Sequence, residues 1–261
     1  RATAGVLVRD AAHVVIAGRT AAKLENVVEQ LAPDAEAAGG SIRYSVCDAL
    51  DEEHVRGLVE FTAAPTGRVD MAVAVPGGGG MAPVLRYSVD MLEAIMRKNI
   101  TSTYVLLKHA GAAMVRAGGG SFVAVSSMQA VQSAPMLAAY CAAKAGLEML
   151  CKVAADELGE HNVRINAVRP GLTRTDATVA MVNDPVTVDA YFDQQPISQL
   201  GEAEDIAWAI RYFLGPEAKW TTGQFLTVDG GATIRRFPDL GPLYRTRLGD
   251  ELDKAARGEV D

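Results

Sequence analysis

Six short runs of apolar and β-branched residues recur along the chain, and helical patterns separate them. The runs occupy residues 13–18, 42–46, 71–75, 122–126, 163–168 and 224–228, and each is typical of a buried strand. Between the first two runs, apolar residues from Leu24 to Leu31 fall at i, i+3, i+4 and i+7, which predicts a helix with one buried face. Further helices are predicted from residue 51 onward and over 89–117, 135–159 and 203–214.

This alternation predicts the fold class. Near-continuous apolar strands separated by helices are typical of a parallel sheet that is covered on both faces. We therefore expect one doubly wound α/β domain with three α/β/α layers over residues 1–233, whose ligands bind beyond the carboxyl ends of the strands. Residues 234–261 fall outside the alternation, and we expect them to form a C-terminal extension that packs on the domain or serves as an oligomer arm.

Composition narrows the choice of partners. The 261 residues carry a net charge of −7, so no overall electrostatic attraction to nucleic acid or to an anionic membrane is expected. No apolar run approaches the roughly 20 residues that a membrane helix needs. The cysteines, Cys47, Cys141 and Cys151, are odd in number and lack metal-ligand spacing, and the four histidines match no site pattern. We expect a cytoplasmic protein without a metal site.

The candidate chemistry lies at the fourth strand and in the helix after it. Ser127 follows the strand at 122–126, Tyr140 comes thirteen residues later, and Lys144 follows Tyr140 by four. Positions i and i+4 lie on one face of a helix, so the phenol and the ammonium can act at the same place.

This spacing resembles the short-chain dehydrogenase/reductase family, whose signature is a serine, then a tyrosine thirteen residues later, then a lysine four later. Asn99 in "MRKNITSTYVLLK" matches the fourth member, an asparagine in the preceding long helix. The resemblance implies a Rossmann-like oxidoreductase that interconverts a secondary alcohol and a ketone by hydride transfer, with Tyr140 as general acid/base. It implies that Ser127 holds the carbonyl oxygen, that Lys144 holds the nicotinamide ribose and that Asn99 anchors a water. We expect Lys144 and an oxidised nicotinamide to lower the phenol's pKa from its usual value of about 10.

The resemblance also implies cofactor contacts through nearly the whole chain. In "YSVCD", Asp48 holds the position that contacts adenine. The segment "NAVRPGLTRT" resembles the family segment that flanks the nicotinamide amide, with candidate residues Pro170, Gly171, Thr173 and Thr175. The segment "LTVDGG" resembles the family's terminal strand motif. The second strand of the family pattern ends here in Gly18 and Arg19, and an arginine can accept a 2′-phosphate. NADP(H) is therefore favoured, and NAD(H) is possible.

Two features depart from the family pattern. The family opens with a strand and a T-G-x-x-x-G-x-G loop, whereas "RATAGVLVRDAAHVVIAGR" aligns with the rest of the first helix and the second strand. We expect the natural protein to contain the missing strand and loop. The family's Asn-Asn-Ala-Gly is replaced by residues 74–77, Ala-Val-Pro-Gly, and three more glycines follow. Gly77 still permits close approach to a cofactor, and the glycines read as a flexible loop or as part of a specialised or impaired site.

Substrate and assembly are less constrained. Residues 172–199 occupy the position of the family's mobile substrate loop, and their apolar side chains favour an apolar carbonyl or alcohol substrate. The family commonly assembles as tetramers or dimers, so we expect a homo-oligomer. Apolar residues of the long helices are consistent with such packing, although a monomer core would use the same residue types; they are Met91, Ile95, Tyr104, Leu147 and Leu150. Two other functions stay open: a catalytically silent dinucleotide-binding sensor or scaffold, and a non-redox epimerase or dehydratase on the same fold.

Overall fold

The computed structural model describes residues 1–235, 240–249 and 251–259. Every predicted strand is present, with its bounds within two residues of those expected. The strands are β1 (His13–Gly18), β2 (Ser41–Val46), β3 (Met71–Ala74), β4 (Gly120–Val125), β5 (Val163–Pro170) and β6 (Phe225–Val228). The helices are α1 (Ala2–Arg9), α2 (Ala21–Ala38), α3 (Glu52–Ala63), α4 (Val89–Met96), α5 (Ser102–Arg116), α6 (Ala138–Gly159), α7 (Val179–Val182), α8 (Pro185–Gln194), α9 (Ala203–Leu214), α10 (Gly241–Leu248) and α11 (Glu251–Ala256).

The strands form two parallel sheets, although one sheet was expected. Strands β3, β4, β5 and β6 pair in that order, and β1 pairs only with β2. Within the described residues, β1 and β3 each have one edge without a strand partner. A central strand would pair with both of these edges and supply the backbone hydrogen bonds that they lack. The expectation that such a strand belongs to the natural protein stays a prediction.

The core lies on both faces of the four-stranded sheet, as expected for buried parallel strands. Successive residues of β4 point to opposite faces: Phe122 packs with Leu147 of α6, whereas Val123 packs with Ile210 of α9. Helix α1 packs on both α2 and α9, and the carboxylate of Asp10 accepts a 2.7 Å hydrogen bond from Arg211 of α9. These contacts connect the two-stranded sheet to the larger layer.

The long helix predicted over 89–117 is interrupted. Helix α4 ends at Met96, residues Arg97–Thr101 form a π-turn, and α5 begins at Ser102. Single π-turns inside helices occur frequently at functional sites, and this one contains the candidate residue Asn99.

Two expectations about the surface are modified by the burial. Ile95 and Leu147 are buried within the protomer, so these two residues belong to the monomer core, the alternative that their residue types left open. Part of the C-terminal extension packs on the domain, because Leu240 and Tyr244 are buried. The remainder of that extension at 236–239, 250 and 260–261 lies outside the described residues. No helix in the described ranges is long and apolar enough to cross a membrane.

Candidate active site

Ser127, Tyr140 and Lys144 come together at the carboxyl end of β4. Ser127 lies two residues beyond the strand and caps the short turn Met128–Ala130. Tyr140 and Lys144 lie on successive turns of α6, and the ammonium is 5.7 Å from the centre of the phenol ring. Lys144 Nζ donates a 2.9 Å hydrogen bond to the carbonyl oxygen of Val125, the last residue of β4. The chain therefore holds the three side chains at one point by backbone geometry and by this direct bond.

Burial dominates the electrostatics of this group. It raises the pKa of the Tyr140 phenol, and hydrogen bonding to Ser127 opposes that rise. Burial lowers the pKa of Lys144 to about 8, although the nearby Glu148 carboxylate acts in the other direction. The expected lowering of the Tyr140 pKa depends on an oxidised nicotinamide as well as on Lys144, and it stays a prediction. At neutral pH these shifts favour a neutral phenol beside a lysine that is mostly an ammonium.

Gln129 is a polar neighbour that the sequence did not indicate. The Ser127 hydroxyl donates a short hydrogen bond to Gln129 Oε1, and the Gln129 amide N–H lies 3.4 Å from Ser127 Oγ. The Ser127 hydroxyl proton therefore already has an acceptor within the protein. No residue spacing pointed to Gln129, because its role follows from the tight turn after β4.

Asn99 is fully buried, and its side-chain amide is hydrogen-bonded to the backbone of the glycine segment, residues 77–80. Its Nδ2 donates to the carbonyl oxygens of Gly78, at 2.9 Å, and Ile95, at 2.8 Å, while its Oδ1 accepts from the Gly78 amide at 3.3 Å. The side chain thus pairs with Gly78 as a neighbouring strand would. Gly78 has φ +135°, which non-glycine residues rarely adopt.

The glycine segment, residues 77–80, lies directly against the candidate catalytic side chains. A Cβ at Gly77 would lie 2.9 Å from Asn99 Oδ1 and 3.0 Å from Lys144 Nζ. A Cβ at Gly79 would lie 3.1 Å from the Cβ of Tyr140 and 3.2 Å from its Cγ. Glycine at these positions permits backbone to pack where a side chain would displace the site. The departure from the family pattern therefore forms part of the site's inner wall.

A largely buried ion pair joins Glu148, one turn beyond Lys144 on the same face of α6, to Arg169 of β5. Glu148 accepts hydrogen bonds from Arg169 Nε at 2.7 Å and from an Arg169 Nη at 2.6 Å, and it accepts a third from Ser126 Oγ at 2.7 Å. Sequence reasoning missed this pair. The i, i+4, i+8 spacing places Tyr140, Lys144 and Glu148 on one helical face. Nothing in the sequence indicated that Arg169 of β5 would be the partner of Glu148.

The candidate cofactor residues after β5 lie at the carboxyl edge of the larger sheet. The Gly171 amide N–H donates a 2.9 Å hydrogen bond to the carbonyl oxygen of Val228. A Cβ at Gly171 would lie 2.7 Å from the Cα of Asp229. The Thr173 hydroxyl donates to the Gly171 carbonyl at 3.0 Å. Thr175 bonds to the neighbouring threonine at 178 through its amide, at 3.0 Å, and its hydroxyl, at 2.9 Å. Pro170 is the last residue of β5.

The remaining candidates, Arg19 and Asp48, follow the ends of β1 and β2 in the two-stranded sheet. Because these strands are parallel, both residues lie at the same end of the two-stranded sheet, beyond the carboxyl ends of its strands. The side chain of Arg19 is exposed, and Asp48 Oδ1 accepts the amide of Leu50 at 3.0 Å. The candidate cofactor residues thus fall into two groups. Arg19 and Asp48 lie at the end of the two-stranded sheet, whereas the residues at 170–175 lie at the end of the larger sheet. Gly77 lies beside Lys144.

An apolar cluster begins at the short turn that follows Ser127. It includes Met128, directly after Ser127, and Tyr191 of α8, which is 4% exposed. Burial raises the pKa of Tyr191, and negative charge on Tyr140 or Tyr244 would raise it further. The other buried members are Met136, Leu172, Ala232, Leu240 and Tyr244.

The residues present fit the nicotinamide end of a dinucleotide. Gly77 leaves the backbone beside Lys144 free of a side chain, and a lysine bonded once to Val125 retains further N–H donors. In contrast, none of the described strands is followed by the family's glycine loop for the pyrophosphate. Across residues 1–235, 240–249 and 251–259, no group of three or more His, Cys, Asp or Glu side chains could hold a metal ion.

A family model and two curated relatives all match this chain over most of its length. A family model described as enoyl-(acyl carrier protein) reductase matches residues 1–233. The chain is 32% identical over 220 residues to 7α-hydroxysteroid dehydrogenase from Escherichia coli K12, covering 84% of both chains. It is 33% identical over 238 residues to 2,5-dichloro-2,5-cyclohexadiene-1,4-diol dehydrogenase from Sphingobium indicum, covering 89% of this chain and 92% of that protein.

Solved structures agree with this result. A short-chain type dehydrogenase/reductase from Mycobacterium ulcerans superposes with a TM-score of 0.92 at 35% identity, covering 95% of this chain and 90% of the other. A 7α-hydroxysteroid dehydrogenase complexed with NADH and 7-oxo glycochenodeoxycholic acid superposes with a TM-score of 0.82 at 30% identity, covering 88% of each chain.

Proposed function

Because the chain belongs to the short-chain dehydrogenase/reductase family, we propose that it is an NAD(P)(H)-dependent oxidoreductase that interconverts a secondary alcohol and a ketone. The observation that carries this proposal is the convergence of Ser127, Tyr140 and Lys144 at the carboxyl end of β4. A phenol, a hydroxyl and an ammonium at one point are the groups that carbonyl reduction requires.

In the reduction, the Tyr140 hydroxyl donates its proton to the carbonyl oxygen of the substrate. The raised pKa of Tyr140 keeps that proton available at neutral pH. Ser127 orients the same oxygen after its hydroxyl leaves Gln129, and the Lys144 ammonium stabilises the phenolate that remains. Bound reduced nicotinamide supplies the hydride for the carbonyl carbon. In alcohol oxidation, the phenolate of Tyr140 accepts the proton instead.

The cofactor site uses groups on both sheets. Lys144 would hold the nicotinamide ribose, and Asn99 keeps the glycine segment in place beside Lys144. Residues Pro170, Gly171, Thr173 and Thr175 would flank the nicotinamide amide, and Asp48 would contact adenine. Arg19 is free to meet a 2′-phosphate, which favours NADP(H) over NAD(H). Because the 7α-hydroxysteroid dehydrogenase structure is a complex with NADH, both nucleotides belong in the test.

The substrate is a neutral apolar carbonyl compound or its alcohol. Apolar residues at 172–199, the position of the family's substrate loop, support this class; Leu172 and Tyr191 among them pack with Met128, next to Ser127. Two relatives are named as dehydrogenases of a hydroxysteroid and of a cyclohexadiene diol, which are ring alcohols. Assembly as a homotetramer or dimer also stays a prediction, to be tested by sedimentation.

Fluorescence titration with NADPH and NADH, followed by turnover on a panel of cyclic ketones, tests the proposal. Nucleotide binding together with ketone-dependent loss of reduced-nicotinamide absorbance supports it. Binding without turnover on any ketone or alcohol favours the sensor, which the Ala74-Val75 substitution of the family's asparagines also favours. Conversion of an alcohol or sugar without net change in the nucleotide would indicate an epimerase or dehydratase.

A further inference from the structure

Lys98 lies in the π-turn between α4 and α5, one residue before Asn99. Its side chain runs across Gly78: a Cβ at that glycine would lie 2.7 Å from Lys98 Nζ, 3.2 Å from its Cε and 3.9 Å from its Cδ. The backbone of Gly78 is also held by two hydrogen bonds to the side chain of Asn99. The lysine can therefore reach the glycine segment because position 78 carries no side chain.

The ammonium of Lys98 has no counter-ion in the described part of the chain. Among residues 1–235, 240–249 and 251–259, it forms neither an ion pair nor a side-chain hydrogen bond. Lys108 of α5, in contrast, pairs with Glu52 at 2.6 Å. Lys144 approaches the same backbone, since a Cβ at Gly77 would lie 3.0 Å from its Nζ. Two ammonium groups thus lie against the start of the glycine segment, and both would attract a bound anion.

The place of the glycine segment in the fold indicates which anion would reach Lys98. Arg19 and Asp48 follow β1 and β2, whereas Lys144 bonds to the carboxyl end of β4. The segment follows β3, and β1 and β3 are the edge strands that a central strand would join. A dinucleotide that reaches from Asp48 to Lys144 therefore passes the segment after β3. Because its pyrophosphate joins the two nucleosides, this group lies in the middle of that path.

The helix that follows Lys98 also contacts the adenosine end of the path. Val105 of α5 packs with Cys47, which directly precedes Asp48. The π-turn and α5 together thus extend from the glycine segment to the residues after β2. This placement sets the Lys98 ammonium between the two groups of candidate cofactor residues.

We infer that Lys98 binds the pyrophosphate of the dinucleotide and acts as a second lysine of the cofactor site. This inference deepens the proposed NAD(P)(H)-dependent function and rests on it. Backbone N–H groups, such as those of the family's glycine loop, offer partial charges to a phosphate. Lys98 would add a full positive charge, and hydrogen bonds from an ammonium to phosphate oxygens are stronger than bonds between neutral groups.

Nucleotide titration of the full-length protein by calorimetry tests this role without any turnover. Lys98→Met keeps a stem that can cover Gly78 and removes the charge. It should weaken the binding of NADPH, NADH and ADP-ribose by at least about tenfold each, the loss expected for a hydrogen bond between charged groups. Because Lys98 is exposed, the variant should unfold at the wild-type urea midpoint.

Arg97→Met is the matched control, because it removes the same charge from an exposed position in the same π-turn. It should change each affinity by less than about threefold, since salt screens exposed charges that do not touch the ligand. Equal losses in Arg97→Met and Lys98→Met would reduce the effect to net charge and would overturn the inference.

The three ligands separate the remaining outcomes. A loss confined to NADPH would place Lys98 at the 2′-phosphate, and a loss for NADH without one for ADP-ribose would place its effect at the nicotinamide end. Either result overturns the inference. Unchanged affinity of Lys98→Met for all three ligands also overturns it, while the proposed function stands. A wild type that binds none of the three contradicts both.

Discussion

The buried ammonium of Lys144 should lower the free energy of unfolding of the protein. It is 3% exposed, and burial lowers its pKa from 10.5 to about 8. Because each pKa unit corresponds to about 1.36 kcal/mol, burying the ammonium costs roughly 3 kcal/mol at neutral pH. Replacing the lysine with methionine, which is apolar and of similar length, removes this cost.

The sign of the pH dependence follows from the lowered pKa. The unfolded chain binds the Lys144 proton more tightly than the folded protein, so wild-type stability falls as the pH drops from about 10.5 towards 8. Lys144→Met has no such dependence. Its advantage over the wild type should therefore shrink by about 2 kcal/mol between about pH 7 and about pH 9.5. The lost hydrogen bond to Val125 shifts both values equally and cancels in the comparison.

Urea denaturation of the wild type and the Lys144→Met variant at the two pH values measures this change. Lys152→Met, at an exposed position on α6, is the control and should show a constant difference from the wild type. If the stability difference between Lys144→Met and the wild type changes by less than about 0.5 kcal/mol between the two pH values, the argument is refuted, since the lysine is then not desolvated. The same variant should lose ketone turnover.

Gly79→Val should lower kcat by about 100-fold with little change in NADPH affinity, because the new side chain displaces the Tyr140 ring. Steady-state kinetics and nucleotide titration measure this, and wild-type kcat would contradict it. Glu148→Gln should lower the free energy of unfolding by about 3 kcal/mol, because it leaves the partly buried Arg169 guanidinium beside a neutral partner. An unchanged urea midpoint would count against that reasoning. Arg19→Glu should weaken NADPH binding at least about tenfold more than NADH binding, and equal losses would remove Arg19 from the 2′-phosphate site.

Local sequence patterns predicted most of the fold because their causes are local. The β-branched runs are bounded by turn residues, so β1 through β6 could be placed within two residues. The i, i+4 spacing placed Tyr140 and Lys144 on one helical face, and the serine at the strand end completed the group.

The unpredicted features depend on contacts between distant segments. The π-turn at Arg97–Thr101 accompanies the pairing of Asn99 with Gly78, which no helical periodicity reveals. The raised pKa of Tyr140 depends on burial under surrounding elements, whereas the sequence indicated only the nearby lysine. Likewise, a charge-balanced C-terminal segment gave no sign that Tyr244 would be buried in the apolar cluster.

The central claim is that Tyr140 transfers the proton during ketone reduction, and Tyr140→Phe tests it most directly. The measurement is single-turnover oxidation of bound NADPH by an excess of cyclic ketone, for the wild type and the variant, after nucleotide affinity has been matched by titration. We predict that Tyr140→Phe binds NADPH as the wild type does and reduces the ketone at least about 1000-fold more slowly, the loss expected for removal of a general acid. A variant that binds NADPH normally and reduces the ketone at the wild-type rate would contradict the account.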